Sequence, residues 1–198
     1  MGLFSFDTAL RRKFVSMETG QEVVVNSAEP IRNKVAESGL VTLDLAPFIP
    51  SDESIAVFDL KPFLFMEMIL KEKDYRAALQ THDWAGYAGK HVGIVCSVDA
   101  IVPVWAYMLA ATYLQPHARS VSFASLEEVV SATITASIEV MDVSEYTGKR
   151  VVLKGCGDIN IPASAYVAAT AKLRPIVKSL MYGEPCSTVP IYKQAVGK

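Results

Sequence analysis

Apolar residues along this chain follow several different periods, and each period predicts an element. LVTLDL at 40–45 alternates apolar and polar side chains, as a strand with one buried face does. Residues 55–60 read as a second short strand, and the turn at 47–51 predicts that the two form a hairpin. Further upstream, residues 22–25 are rich in β-branched side chains, and 30–38 predict a short helix ending at Gly39. From Pro62 to Gln80, residues Phe63, Met66, Ile69, Leu70, Tyr75 and Leu79 keep roughly helical spacing. Pro62 suits the first position of that helix, where a missing N–H costs nothing. Glu67 and Lys71 add a favourable i,i+4 pair.

Further on the alternation stops. HVGIVCS (91–97) and RVVLKGC (150–156) are continuous apolar runs, of the length expected for strands covered on both faces. Each leads into a loop with an aspartate and then a proline that opens an Ala-rich helix. Pro116 and Pro175 end those helices, and RSVSFA or IVKSLMY follows as another strand. Between the two sets, Leu126–Val140 predicts a helix with Ser125 as its N-cap.

These two sets are copies by sequence. At an offset of 59 residues, Asp83, Tyr87, Gly89, Lys90, Val92, Asp99 and Pro103 recur as Asp142, Tyr146, Gly148, Lys149, Val151, Asp158 and Pro162. The matches continue through Ala106/Ala165, Tyr107/Tyr166, Ala110/Ala169, Leu114/Leu173, Pro116/Pro175 and Ser120/Ser179. Chance identity over such a span would supply roughly two to four pairs. The chain is therefore expected to be α/β: a mostly parallel open sheet with helices on both faces, built from an internally duplicated βαβ unit. Residues 1–21 read as an N-terminal extension and 22–198 as a single α/β domain, with repeat copies at about 83–123 and 142–182. The short upstream strands are expected to extend one edge of the sheet.

Composition narrows the partners. With 51% hydrophobic and 20% charged residues, a chain of 198 residues has ample core. A net charge of −2 without a Lys/Arg run excludes a nucleic-acid partner, because phosphate binding needs a concentrated basic surface. Val92 to Leu114 has only Asp99 as a charge and could in length span a bilayer. Its copy carries Lys154, Asp158, Asn160 and Lys172, so strand plus helix explains both and no membrane span is expected. The first residues have no long apolar core and carry Asp7, which argues against a signal peptide. Three widely spaced cysteines are not a disulfide framework, and a cytoplasmic location follows.

In an open parallel sheet, ligands gather outside the carboxyl ends of the strands. Cys96 and Cys156 end the leading strands of the two copies, and Cys186 follows the last strand in GEPCSTVP. Three thiolates on one rim would suit a soft metal, zinc or iron, or an iron–sulphur cluster, with His82, an aspartate or solvent as a fourth ligand. Asp99 and Asp158 lie in the same loops, and Ser187 and Thr188 add neutral donors. The competing reading makes Cys96 and Cys156 small buried hydrophobes, Asp99 and Asp158 helix caps, and His82 a structural histidine. No Walker loop, G-x-G-x-x-G or G-x-S-x-G is present, so the alternatives are a cysteine-dependent enzyme of unknown substrate or a non-catalytic binding module, with Trp84 or Trp105 at a homodimer contact.

FDLKPFLF (58–65), LKEKDYR (70–76), HDWAGYAGK (82–90), CSVDAIVPVWAYMLAATYLQP (96–116), VVLKGC (151–156) and YGEPCSTVPIYK (182–193) together resemble an uncharacterised bacterial family, domain-of-unknown-function family 2480. The resemblance covers roughly residues 30–193. It implies that His82, Cys96, Asp99, Cys156 and Cys186 belong to the family's pattern, and that iron–sulphur assembly proteins are linked partners. It implies no reaction.

Overall fold

The computed structural model describes residues 39–155 and 159–195. The leader, the strand expected at 22–25, the helix expected at 30–38, Cys156 and Asp158 all lie outside the described residues. Everything that follows lies in the unit Val35–Lys198.

Nine strands and four α-helices are described. The strands are β1 (Leu40–Leu43), β2 (Ile55–Asp59), β3 (Leu64–Phe65), β4 (Ile69–Leu70), β5 (His91–Val95), β6 (Ser120–Phe123), β7 (Arg150–Lys154), β8 (Ser179–Glu184) and β9 (Ser187–Lys193). The helices are α1 (Glu72–Thr81), α2 (Val104–Leu114), α3 (Leu126–Val140) and α4 (Ala163–Leu173). The expected α/β class holds, but the strands form two main sheets instead of one. A first sheet has the order β2-β5-β6 and is wholly parallel; a second has the order β1-β7-β8-β9 and is parallel except for β9.

Each crossover helix returns its strand beside the one that launched it, which gives β5-α2-β6 and β7-α4-β8. The helices bury an alanine stripe closed by one leucine: Ala106, Ala110 and Leu114 on α2, Ala165, Ala169 and Leu173 on α4. The bounds of α2 and α4, and of β5 and β7, differ by 59 residues at both ends. So do the tight entries to the two leading strands, where the N–H of Gly89 bonds to His117 O and that of Gly148 to Ile176 O. Both glycines have left-handed φ, +71° and +69°, which a side chain would strain.

The upstream strands do not pair with each other. β1 joins β7 and β2 joins β5, both in parallel, so no hairpin links them and each serves a different sheet. The reason lies in how both end. Asp44-Leu45-Ala46-Pro47-Phe48 and Asp59-Leu60-Lys61-Pro62-Phe63 are the same turn, a 3-10 segment with proline inside and a fully buried leucine before it. In each, the aspartate Oδ1 accepts the backbone N–H two residues on, at 2.9 Å. Phe48 then packs on the core of the second sheet and Phe63 on that of the first.

Pro62 thus opens one 3-10 turn, and the helix expected from 62 to 80 is restricted to α1. Between them β3 and β4 form a small antiparallel hairpin across residues 66–68. Met66 and Glu67 have φ of 57° and 56°, which no α-helix accommodates. By contrast α3 matches its expected bounds, with a complete capping box: Ser125 Oγ accepts from Glu128 N, and Glu128 accepts from Ser125 N.

That α3 lies between layers explains why the sheets stay separate. Gly93, in the middle of β5, faces the carbonyl of Ala124 and the Val129 side chain, so the chain after β6 turns under β5 instead of extending the sheet. α3 then packs on β2 and β5 on one side and on α4 on the other, with Ser131 and Ser164 hydroxyls 2.6 Å apart. Ile134 and Ile138 belong to the core of the second sheet. GEPCSTVP, expected as a loop, is the turn and start of a hairpin: Glu184 pairs with Ser187 around Pro185–Cys186.

Candidate functional site

Both sheets have a carboxyl rim of the kind where α/β proteins bind ligands. On the first sheet this rim carries Asp59, Cys96 and Ser97, beside the start of α2. Asp59 Oδ1 accepts the N–H groups of Lys61 and Ser97 at 2.9 and 3.0 Å, and its Oδ2 accepts the Ser97 hydroxyl at 2.5 Å. Partial burial alone would raise the pKa of this carboxyl, but these donors outweigh it and hold the pKa below the ordinary aspartate range. Cys96 is half-buried against the core, and its Sγ donates to Val98 O at 3.4 Å. Tyr107, from α2, is pushed up by burial and by the nearby Cys96 and Asp59. Asp99 is exposed, and the N-cap of α2 is Pro103 with no side-chain bond, so the capping role open to Asp99 is not used there.

On the second sheet the same rim is built differently. Asp44 Oδ2 accepts Lys154 Nζ at 2.7 Å, and this bond, with the Ala46 N–H, draws the Asp44 pKa down. Tyr166 donates to Lys154 O at 3.1 Å, and Tyr182 donates to Gly155 O at 3.3 Å. The rings of Tyr166 and Tyr182 meet edge to face at 5.4 Å, as Tyr107 and Phe123 do at 5.1 Å on the first sheet. A Cβ at Gly155 would lie 2.6 Å from the Tyr182 ring, so a side chain there would have to displace that ring. Beside it, Leu153, Tyr166, Val167, Thr170, Tyr182 and Ile191 line an apolar groove of about 530 Å³.

The thiols divide between these rims. Cys96 follows β5 in the first sheet, whereas Cys186 is exposed in the turn between β8 and β9 of the second. The residue before Cys156, Gly155, donates its N–H to Gly183 O at 3.2 Å, so Gly155 lies alongside the strand that leads to Cys186. Glu184, on that same strand, has a buried Oε1 with no hydrogen-bond partner. Ser187 and Thr188 belong to the β9 ladder, opposite Glu184 and Gly183.

His82 caps the C-terminus of α1 inside an aromatic box. Its ring lies 4.6 Å from Trp84, 5.4 Å from Phe58, 5.9 Å from Tyr87 and 6.0 Å from Phe63, and its buried Nε2 has no hydrogen-bond partner. Trp84 is held by its indole N–H on Leu79 O at 2.9 Å. Among the described residues no three His, Cys, Asp or Glu side chains gather as a metal-holding group, so Cys96, Cys186, His82 and Asp99 do not form one by themselves. No helix of the described residues is long and apolar enough to cross a membrane.

Sequence reasoning had no means to notice Glu184, whose significance is its missing partner. It also passed over the second, shorter repeat, Asp-Leu-x-Pro-Phe at an offset of 15, which a search at short periods would have found. No curated protein and no solved structure matches the chain. One family profile does, across residues 29–194, and on that span the chain belongs to the family described as protein of unknown function (DUF2480).

Proposed function

We propose that the protein is an accessory protein that handles zinc, iron or an iron–sulphur cluster through thiolates at the carboxyl rim of the second sheet. Cys156 and Cys186 are the proposed pair at this rim, and Cys96, which follows β5 on the rim of the first sheet, stands outside it. The observation that carries this reading is the bond from Gly155 N–H to Gly183 O, which sets Gly155, the residue before Cys156, against the strand leading to Cys186. The orphan oxygen of Glu184 supports it: a buried carboxylate oxygen without a donor is costly, and a cation would supply the missing partner. Glu184 is therefore a better-placed fourth donor than His82, whose ring is held among aromatics. Thiolate with carboxylate is a donor set that zinc and iron both accept, and the bound centre would supply Lewis acidity or an electron store. The Asp44–Lys154 pair and the two tyrosines position the strand end from which the loop departs. A reduced, cytoplasmic setting goes with this chemistry.

The matching element bounds also support descent of both sheets from one duplicated unit. In this reading each unit is a βαβ crossover with a thiol after its leading strand, with β9 and Cys186 added to the second copy; the two Asp-Leu-x-Pro-Phe strands, 15 residues apart and both upstream, lie outside the 59-residue offset.

The full chain, purified without oxygen and analysed for metals, should carry about one equivalent of zinc or iron, or take it up on loading. Cys156→Ser and Cys186→Ser should each abolish retention, and Cys96→Ser, outside this rim, should leave it unchanged. A chain that neither carries nor acquires metal, or a double Cys156/Cys186 variant that retains it fully, refutes the proposal. Metal-free protein in which one thiol alkylates far faster than the others would point instead to the cysteine-enzyme class.

A further inference from the structure

The first sheet carries a surface for which the thiol chemistry has no use. At the tip of the β3–β4 hairpin, Met66 is 76% exposed and Met68 63%. The N–H of Met68 bonds to Phe65 O at 3.2 Å, and both central residues have positive φ, so the tip is a type I′ turn made from Met-Glu. Such turns normally take Asn-Gly, because left-handed backbone costs other residues on the order of 1 kcal/mol each. Here that cost is spent on presenting methionines to solvent.

The apolar surface continues from the hairpin. Ile101, 86% exposed, donates its N–H to Met68 O at 3.3 Å and bridges to Ile69. Three residues on, α2 begins, and its Val104 and Met108 lie outward one turn apart, 74% and 64% exposed. Tyr107 then links α2 to Phe123, 76% exposed, at the end of β6. Met66, Met68, Ile69, Ile101, Val104, Met108 and Phe123 are each more than half exposed on neighbouring elements, which is a clustered apolar face and not the singly scattered apolar residues of an ordinary surface. A face of this kind suits a protein–protein interface, whose standard size is about 800 Å² on each side.

The second sheet keeps apolar residues on the matching face, among them Val167 at 68% and Ile191 at 51% exposure, but in a different arrangement. Fifty-nine residues on, Ile101, Val104, Met108 and Phe123 become Asn160, Ala163, Val167 and Tyr182, smaller or more polar in each case. There β8 is covered by β9, an edge strand that carries Pro190 and ends in Lys193, residues that discourage further pairing. Its counterpart β6, Ser120–Phe123, has no strand on its outer side among the described residues and has neither proline nor charge.

We propose that this face, formed by the β3–β4 hairpin, the outer side of α2 and the free edge of β6, is where a second copy of this chain docks about a two-fold axis. An apolar patch with its charges at the border is complementary to itself. The border is set by Lys61, 3.5 Å from Glu67, and Lys71, which lies over the Phe65 ring. The unguarded β6 edge can pair antiparallel with its own copy, as isologous dimers do.

Sedimentation velocity on the full chain, from about 1 to about 100 µM, tests this. The expected result is a particle of twice the 21.6 kDa chain mass. Met108→Glu and Phe123→Glu should each weaken association by about tenfold or more with the far-ultraviolet circular dichroism unchanged. If either variant fails to fold, hydroxyl-radical oxidation of the natural chain decides: Met66, Met68 and Met108 should be protected at the high concentration and exposed at the low one. A chain that stays monomeric across the range, a dimer that both folded variants retain, or equal oxidation at both concentrations overturns the proposal. A monomer that co-sediments with phosphatidylcholine–phosphatidylglycerol vesicles overturns it too and assigns the face to a lipid surface.

Discussion

Gly93→Ala is a substitution whose sign is informative. In an ordinary strand interior, alanine is better than glycine by roughly 0.5–1 kcal/mol, because glycine loses more backbone freedom on folding. Position 93 is central in β5, buried, and has no left-handed φ, so on local grounds the change should stabilise. Packing says otherwise. A Cβ built there falls well inside contact distance of Ala124 O and 2.9 Å from Val129 Cγ2. One obstacle is backbone, which cannot rotate away, and the other is a β-branched side chain buried at 3% exposure. Relief requires α3 to lift from the first sheet, and overpacking of this kind typically costs 1–3 kcal/mol, occasionally more. The net expectation is a loss of about 1–3 kcal/mol, which for a chain of this size lowers the melting temperature by several degrees. Urea unfolding followed by fluorescence measures it, with Gly89→Ala as a control in which only the left-handed backbone is strained, since nothing lies within 4 Å of that Cβ. If Gly93→Ala matches or exceeds the natural chain in stability at an unchanged m-value, the close approach of α3 to β5 is wrong, and so is the account of why the sheets separate.

Other substitutions probe separate links. Asp59→Asn removes a carboxylate that accepts three donors and should cost about 1–3 kcal/mol at neutral pH. Because the folded pKa is depressed, Asp59 contributes stability above its unfolded value near 4 and loses it as pH falls through the folded value, so the gap between natural chain and variant should close on acidification. A gap that stays constant from neutral pH to below about 3 would contradict this. Ser125→Ala removes the hydroxyl that accepts from Glu128 N, leaving the backbone half of the capping box, and should destabilise by roughly 1 kcal/mol, whereas Ser125→Asp should not; equal losses would show that the cap is not the cause. Replacing Met66-Glu67 with Asn-Gly should stabilise the hairpin by about 1 kcal/mol while weakening self-association, and a fall in stability would disprove the type I′ assignment.

Local order was legible in the sequence, and long-range arrangement was not. The apolar runs that became β5 and β7, the proline-opened helices α2 and α4, and the capped helix α3 were all readable, because each is set by side chains within a few residues of one another. Periodicity failed at Pro62–Gln80, where apolar spacing suited a helix but two left-handed residues make a hairpin. Nor could it say that β1 and β2 serve different sheets, since parallel pairing joins residues some 36 or 110 positions apart, as in Ile55 with His91 and Leu40 with Arg150. The rim position of Cys96 and Cys186 followed from strand order within a copy, but their division between two sheets depends on where α3 packs. That is decided by a missing Cβ at Gly93, a space that no hydropathy pattern records.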